Sequence, residues 1–300
     1  MSHKRRVFIS FVNPELLDSK RIELQQKVIE KIESLGLQPE MFFHKGTAAS
    51  MAWSLRNVID IMNSCIGAVV IALPRWNFKN EDGVNYILAS EYAQIEGAIA
   101  TTLKLPLLIL AERGIVDRGL TWTGAGHPII YIPSGADPNW LEQDAFNQRF
   151  GFWADQLNER SDLFLGYSSK ARNTALAIHL FLTQKLGLTV RNWEMDFAAA
   201  GIIIDEIETA SKLCSGGIFL FTKDDNTIEG SEIKAAPRDN VVFEAGYFTA
   251  SKGRKRVLII KEEGAKMPAD LGGNIYLNLI DRNDISPIET AISDFVKKRL

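Results

Sequence analysis

The 300-residue sequence has only two cysteines, Cys65 and Cys214, and that scarcity excludes a disulfide framework and a cysteine-based metal site. Each thiol stands alone before an apolar run, the setting of a buried free cysteine in a reducing compartment. No apolar run approaches the ~18 consecutive residues that a membrane helix requires. Charge of one sign is lacking as well. The 34 Lys and Arg against 37 Asp and Glu leave a net charge of −3, too small to attract nucleic acid or an anionic membrane. The one basic cluster, Lys252, Arg254, Lys255 and Arg256, reads as a solvated helix end. The opening Met1–Arg6 followed by Val7–Val12 has the order of a signal peptide, but the apolar part is short and runs into Asn13-Pro14-Glu15. The expectation is a cytoplasmic protein without a nucleic-acid or membrane partner.

Short, nearly continuous apolar runs alternate with helical patterns along the whole chain, which predicts an α/β fold with mainly parallel sheets flanked by helices. In the first half the strands are Val7–Val12, Ile66–Leu73 and Leu105–Leu110, with Ile129–Ile132 as an edge; the helices are Ser19–Leu35 and Ser90–Leu103. The second half repeats the order: strands Leu163–Tyr167, Thr189–Trp193, Gly217–Phe221 and Arg256–Lys261, and helices Lys170–Leu186, Ile202–Leu213, Val241–Ser251 and Ile288–Lys298. Landmarks correspond at an offset of roughly 150 residues: Leu35-Gly36-Leu37 with Leu186-Gly187-Leu188, Cys65 with Cys214, and Glu96-Gly97 with Glu244-Ala245. The turn-rich Pro133–Pro138 and a helical connector over Asn139–Asn158 separate the halves, predicting domains over 1–158 and 159–300.

The most informative stretch is Arg238-Asp239-Asn240-Val241-Val242-Phe243-Glu244-Ala245-Gly246-Tyr247-Phe248. Asp239 or Asn240 can cap a helix. Val241, Glu244, Ala245 and Phe248 then share one face, so a single carboxylate lies on an apolar stripe. A buried carboxylate is costly unless paired, and two readings stand: a structural ion pair, or a catalytic group.

With that block, Phe164-Leu165-Gly166-Tyr167-Ser168-Ser169, Trp193, Phe219-Leu220-Phe221-Thr222-Lys223-Asp224-Asp225 and Met267-Pro268-Ala269-Asp270-Leu271-Gly272-Gly273 follow in order. Together they resemble the TIR-like domain of bacterial CBASS and Pycsar antiphage effectors. The resemblance implies a flavodoxin-like or TIR-like fold and an NAD+ glycohydrolase in which Glu244 is catalytic, with NAD+ as substrate and no cofactor. Ala245 stands where the family has a larger apolar residue, and Thr249-Ala250-Ser251 where it has a glycine-containing stretch. A single carboxylate suits the reaction. Nicotinamide leaves NAD+ as a neutral molecule, so no general acid is needed, and one ionised carboxylate stabilises the developing sugar cation.

Other residues each carry two readings. Tyr167, Ser168 and Ser169 end the first strand, where open α/β sheets bind ligands; they hold phosphate or ribose, or merely cap the next helix. Trp193 and Phe197 stack on a base, or belong to the core. Arg238 binds phosphate, or pairs with Glu244. Asp224 and Asp225 read as a strand-end turn rather than a metal site.

The first half resembles, more loosely, the TIR/SLOG-type nucleotide-sensing domains of Thoeris effectors. That resemblance implies a cyclic nucleotide or ADP-ribose-type signal, with Arg75, Trp76, Glu96, Arg113 and Arg118 as its contacts and Asn77–Asn85 as a flexible loop. An activated effector of this kind self-associates. Two alternatives remain open: a synthase that makes a cyclic ADP-ribose signal, and a non-catalytic nucleotide receptor.

Overall fold

The computed structural model describes residues 4–196, 202–229 and 232–300. Contacts divide the chain into two compact units, Lys4–Glu159 and Arg160–Leu300. Each is an α/β layer structure around a five-stranded parallel sheet.

In the first unit the elements are β1 (Arg6–Ser10), α1 (Ser19–Ser34), β2 (Gln38–Glu40), α2 (Leu55–Met62), β3 (Cys65–Ala72), β4 (Trp76–Lys79), β5 (Asn85–Leu88), α3 (Glu91–Thr102), β6 (Leu107–Glu112), β7 (Ile129–Ile132) and α4 (Asp144–Asn158). The sheet order is β2-β1-β3-β6-β7. Cys65-Ile66-Gly67-Ala68-Val69-Val70-Ile71-Ala72 is buried along its whole length, as expected for a central parallel strand covered on both faces. Helix α1 starts where the Asp18 carboxylate accepts from the Arg21 amide, and it buries Leu24, Val28, Ile29 and Ile32 at helical spacing. The connector predicted over Asn139–Asn158 is part of this unit: α4 packs Phe146, Phe150, Trp153 and Leu157 into the core on one side of the sheet. At roughly 1.5–3 kcal/mol per fully buried large apolar side chain, these four are a substantial share of that layer.

One expectation fails here. Asn77–Asn85 is not a flexible loop, because Trp76–Lys79 and Asn85–Leu88 pair as an antiparallel hairpin and Phe78 stacks on Tyr86 with ring centres 5.5 Å apart. The cross-strand aromatic pair holds what the polar composition suggested was unstructured.

The second unit contains β8 (Ser161–Gly166), α5 (Arg172–Leu180, widening to π spacing over Phe181–Lys185), β9 (Val190–Asn192), α6 (Trp193–Asp196), α7 (Ile203–Leu213), β10 (Cys214–Phe221), β11 (Asp225–Glu229), β12 (Glu232–Ala236), α8 (Asp239–Lys252), β13 (Val257–Glu262), β14 (Ile275–Leu279) and α9 (Glu289–Arg299). Its sheet order, β9-β8-β10-β13-β14, repeats that of the first unit. Again the central strand is followed by an antiparallel hairpin, β11-β12, and then by a helix, α8. The first strand lies between the second and the central strand, so its C-terminal end is where the topology opens a crevice. Among the described residues, no helix is long and apolar enough to cross a membrane.

Candidate functional site

Helix α8 begins at Asp239, and its N-cap is Arg238, in extended conformation and without a side-chain capping bond. Asp239 and Asn240, expected as caps, are instead the first two helical residues. Val241 and Val242 both donate their amides to the Arg238 carbonyl, which fixes the start one residue earlier. Asp239 thereby places its negative charge in the first turn, where the helix dipole favours it. The buried face is Val241, Glu244, Ala245 and Phe248, the four residues whose spacing predicted it.

Glu244 is 5% exposed, and among the described residues its Oε2 has no hydrogen-bond partner. Burial alone pushes its carboxyl up to about 8. Arg238 does not pair with it; the guanidinium reaches the Asp225 carboxylate at 3.1 Å. Beneath Glu244 lies an aromatic cluster of Phe164, Phe219 and Phe248, whose ring centres are 5.1 to 6.0 Å apart. Such a floor offers a carboxylate no donor, which is why the charged form is disfavoured.

The last residue of β8 must be glycine. A Cβ at Gly166 would lie 2.4 Å from a Phe219 ring carbon and 2.8 Å from Glu244 Oε2. Tyr167, Ser168 and Ser169 follow it directly. The Ser168 hydroxyl donates to Asp224 Oδ2, which also takes the Thr222 hydroxyl. Asp224 is thus a buried anchor for the serine turn. Trp193 donates its indole N–H to the Tyr167 carbonyl at 2.8 Å, fixing the ring beside the same turn. Burial and the neighbouring Glu194 carboxylate push the Tyr167 phenol far above its ordinary range.

A cavity of about 270 Å³ is lined by Tyr167, Ser168, Ser169, Trp193, Ile203, Arg238, Asn240, Val241 and Glu244. Six residues singled out from the sequence therefore meet in one place. Phe197, the seventh, lies outside the described residues. Sequence reasoning passed over Asn240 and Ile203. Asn240 precedes Glu244 by four, the spacing that puts two helical side chains on one face, and that signal was there to be used.

The five residues grouped as signal contacts in the first unit do not form one site. Arg75 and Glu96 line a cavity of about 740 Å³. Trp76 and Arg118 line a different one of about 370 Å³. Arg113 lines neither, and its guanidinium lies over the Tyr131 ring, 5.3 Å from the centre. The hairpin that starts at Trp76 separates residues that a loop would have let converge. Glu96 is 5% exposed and accepts the Trp53 indole N–H at 2.7 Å. Burial pushes its carboxyl up, opposed by hydrogen bonds from Ser10 and Trp53.

The family described as CAP12/Pycsar effector protein, TIR domain, matches residues 162–281. Over 242 residues the chain is 32% identical to the Pycsar effector protein BcPycTIR of Burkholderia cepacia, covering 77% of this chain and 76% of that protein. It is 37% identical over 81 residues to CD-NTase-associated protein 12 of Sphingobacterium faecium, covering 27% of this chain and 25% of the relative. With the protein of the same name from a Lachnospiraceae bacterium it shares 30% identity over 115 residues, or 38% of this chain and 36% of the other. The matched segment holds Gly166, the serine turn, Trp193, Arg238 and Glu244. The chain belongs to the CAP12/Pycsar effector family, and its Arg160–Leu300 unit carries that family's TIR domain.

Proposed function

We propose that the second unit hydrolyses NAD+ to nicotinamide and ADP-ribose, and that the chain is an antiphage effector switched on by a nucleotide signal acting through the first unit and by self-association. The observation that carries this reading is the Glu244 carboxyl, buried and without an ion pair among the described residues, in the wall of a cavity that also holds the serine turn and Trp193. At about 270 Å³ the cavity is smaller than the ~300–1,000 Å³ of pockets that enclose a whole drug-sized ligand, so it suits the nicotinamide–ribose end of the dinucleotide.

The bond between C1′ and the nicotinamide nitrogen breaks, and its electron pair stays on nicotinamide, which becomes neutral. Water bonds to C1′ and gives up a proton. Positive charge accumulates on the sugar in between. A carboxylate on an apolar floor gains most from that charge, because no other donor already satisfies it. The substrate also supplies the means of ionising the group. A carboxyl of pKa about 8 is about nine-tenths protonated at pH 7 in the empty pocket. A cation within ~4–6 Å lowers a carboxyl pKa by about 1–3, and the nicotinamide ring of NAD+ is such a cation. Ser168 and Ser169 would hold ribose hydroxyls, Trp193 the ring face, and Arg238 a phosphate.

The test is chromatographic measurement of nicotinamide and ADP-ribose from NAD+, with 3′,5′-cyclic mononucleotides as candidate activators. Release by the wild type, reduced at least ~10³-fold in Glu244→Gln, is expected. Equal release by the variant overturns the assignment, and a cyclic product in place of ADP-ribose makes the enzyme a synthase.

A further inference from the structure

The two units share more than a strand order. In each, the central strand has eight residues, and its sixth pairs with the last residue of the first strand: Val70 with Ser10, and Phe219 with Gly166. In each, the helix after the hairpin carries a buried glutamate at its sixth position, Glu96 in α3 and Glu244 in α8. Glu96 thus occupies in the first unit the place that Glu244 occupies in the second.

Their surroundings differ. Where Gly166 leaves room, Ser10 brings a hydroxyl to Glu96, and Trp53 donates to Oε1 at 2.7 Å. The cavity before Glu96 is also the larger, about 740 Å³. Rings face it: Phe11 against His44, centres 5.3 Å apart, and Trp53 against Tyr92, 4.7 Å apart. Phe43, also in the wall, is held at φ +60° with 71% of its surface exposed, a conformation non-glycine residues rarely adopt. Strain that presents an aromatic side chain at a cavity mouth points to a ligand rather than to packing. Arg75 stands at the same cavity.

We propose that this cavity is a receptor site for a ribonucleotide, which it binds without cleaving. Aromatic faces take the base, the Arg75 guanidinium takes the phosphate, and Glu96 accepts from ribose hydroxyls or base N–H groups. Glu96 does not act as Glu244 would, because a carboxylate already satisfied by two donors in the ground state has less to gain from a developing cation. This deepens the proposed function by giving the nucleotide signal a site, yet binding here does not depend on cleavage in the other unit.

The experiment is isothermal titration of the full-length Glu244→Gln chain with NAD+, ADP-ribose and the four common 3′,5′-cyclic mononucleotides. Saturable binding of at least one is expected, weakened tenfold or more by Arg75→Ala and by Glu96→Gln and unchanged by Arg238→Ala. The ligand that binds distinguishes a cyclic signal from the dinucleotide or its product. Circular dichroism checks folding, and the half-buried Arg75 keeps the test intact if Glu96→Gln is unstable. The inference is overturned if none of the six binds below millimolar concentration, or if binding ignores Arg75→Ala, or follows Arg238→Ala instead. Cleavage of NAD+ by the wild type with no such binding overturns this inference alone. Binding without any cleavage overturns the proposed function alone.

Discussion

Replacing Glu244 by glutamine should stabilise the second unit, and by an amount that grows with pH. In the folded chain burial pushes the carboxyl from 4.5 to about 8, whereas in the unfolded chain it titrates at its ordinary value. Between these two values the folded state holds a proton that the unfolded state has released. Stability contributed by this group is therefore fully present below about pH 4.5 and lost as pH rises to about 8. At ~1.36 kcal/mol per pKa unit, the whole loss is about 5 kcal/mol, and about 3 kcal/mol of it falls between pH 5.5 and 8.5. Glutamine has no such titration and fits the same space. Comparing variant with wild type at each pH cancels every other group that ionises over the range, the Tyr167 phenol and the Lys252 amine included. Differential scanning calorimetry at pH 5.5, 7 and 8.5 reads the gap, which for a unit of this size should widen by on the order of 10 °C. A gap that stays constant across the three pH values would refute the account of an uncompensated buried carboxyl.

Three further outcomes follow from the geometry. If NAD+ is cleaved, kcat/KM should rise through about pH 8, where free Glu244 ionises, whereas kcat should level off at lower pH because the bound cation eases ionisation; superimposable profiles in initial-rate assays would contradict this. Gly166→Ala should cost about 1–3 kcal/mol in a chemical denaturation series, since its methyl group would meet Phe219 and Glu244 at 2.4 and 2.8 Å, and nicotinamide release should fall with it. Asp224→Ala frees the Ser168 hydroxyl from its anchor, so KM for NAD+ should rise about tenfold with kcat less affected; a pure kcat loss would show that the serine turn does not bind substrate.

Most of the parallel scaffold was legible because its inner strands are covered on both faces and read as unbroken apolar runs. The eight buried residues of β10 and the four buried residues at the start of β13 need no other signal. The edges were not legible. Strand β2 is Gln38-Pro39-Glu40, three residues with a proline that has no amide to donate, and it exists only because β1 offers a partner. Strand β14 alternates half-buried and exposed residues, and its register against β13 is what defines it. Both hairpins were hidden by polar composition; in β11-β12 the paired Ile228 and Ile233 are largely exposed, so their burial is no guide.

The second-unit site was legible where its residues carry a periodicity or end a strand. Helical spacing placed Glu244 on the buried face, and the end of β8 placed the serine turn. What spacing could not show is which partners are missing. That Arg238 turns to Asp225 and leaves Glu244 unpaired depends on where the hairpin before α8 begins, a tertiary matter. The scatter of Arg75, Trp76, Arg113 and Arg118 has the same origin, since a short hairpin divides residues only one or a few positions apart along the chain.

The repeated architecture has a consequence for inhibitor design. A compound that recognises only a glutamate on the helix after the hairpin will meet that arrangement in both halves of every molecule, and dose–response curves will mix two occupancies. Discrimination has to be built at the mouths, where Phe43 and His44 frame the larger opening and Arg238 and Asn240 the smaller.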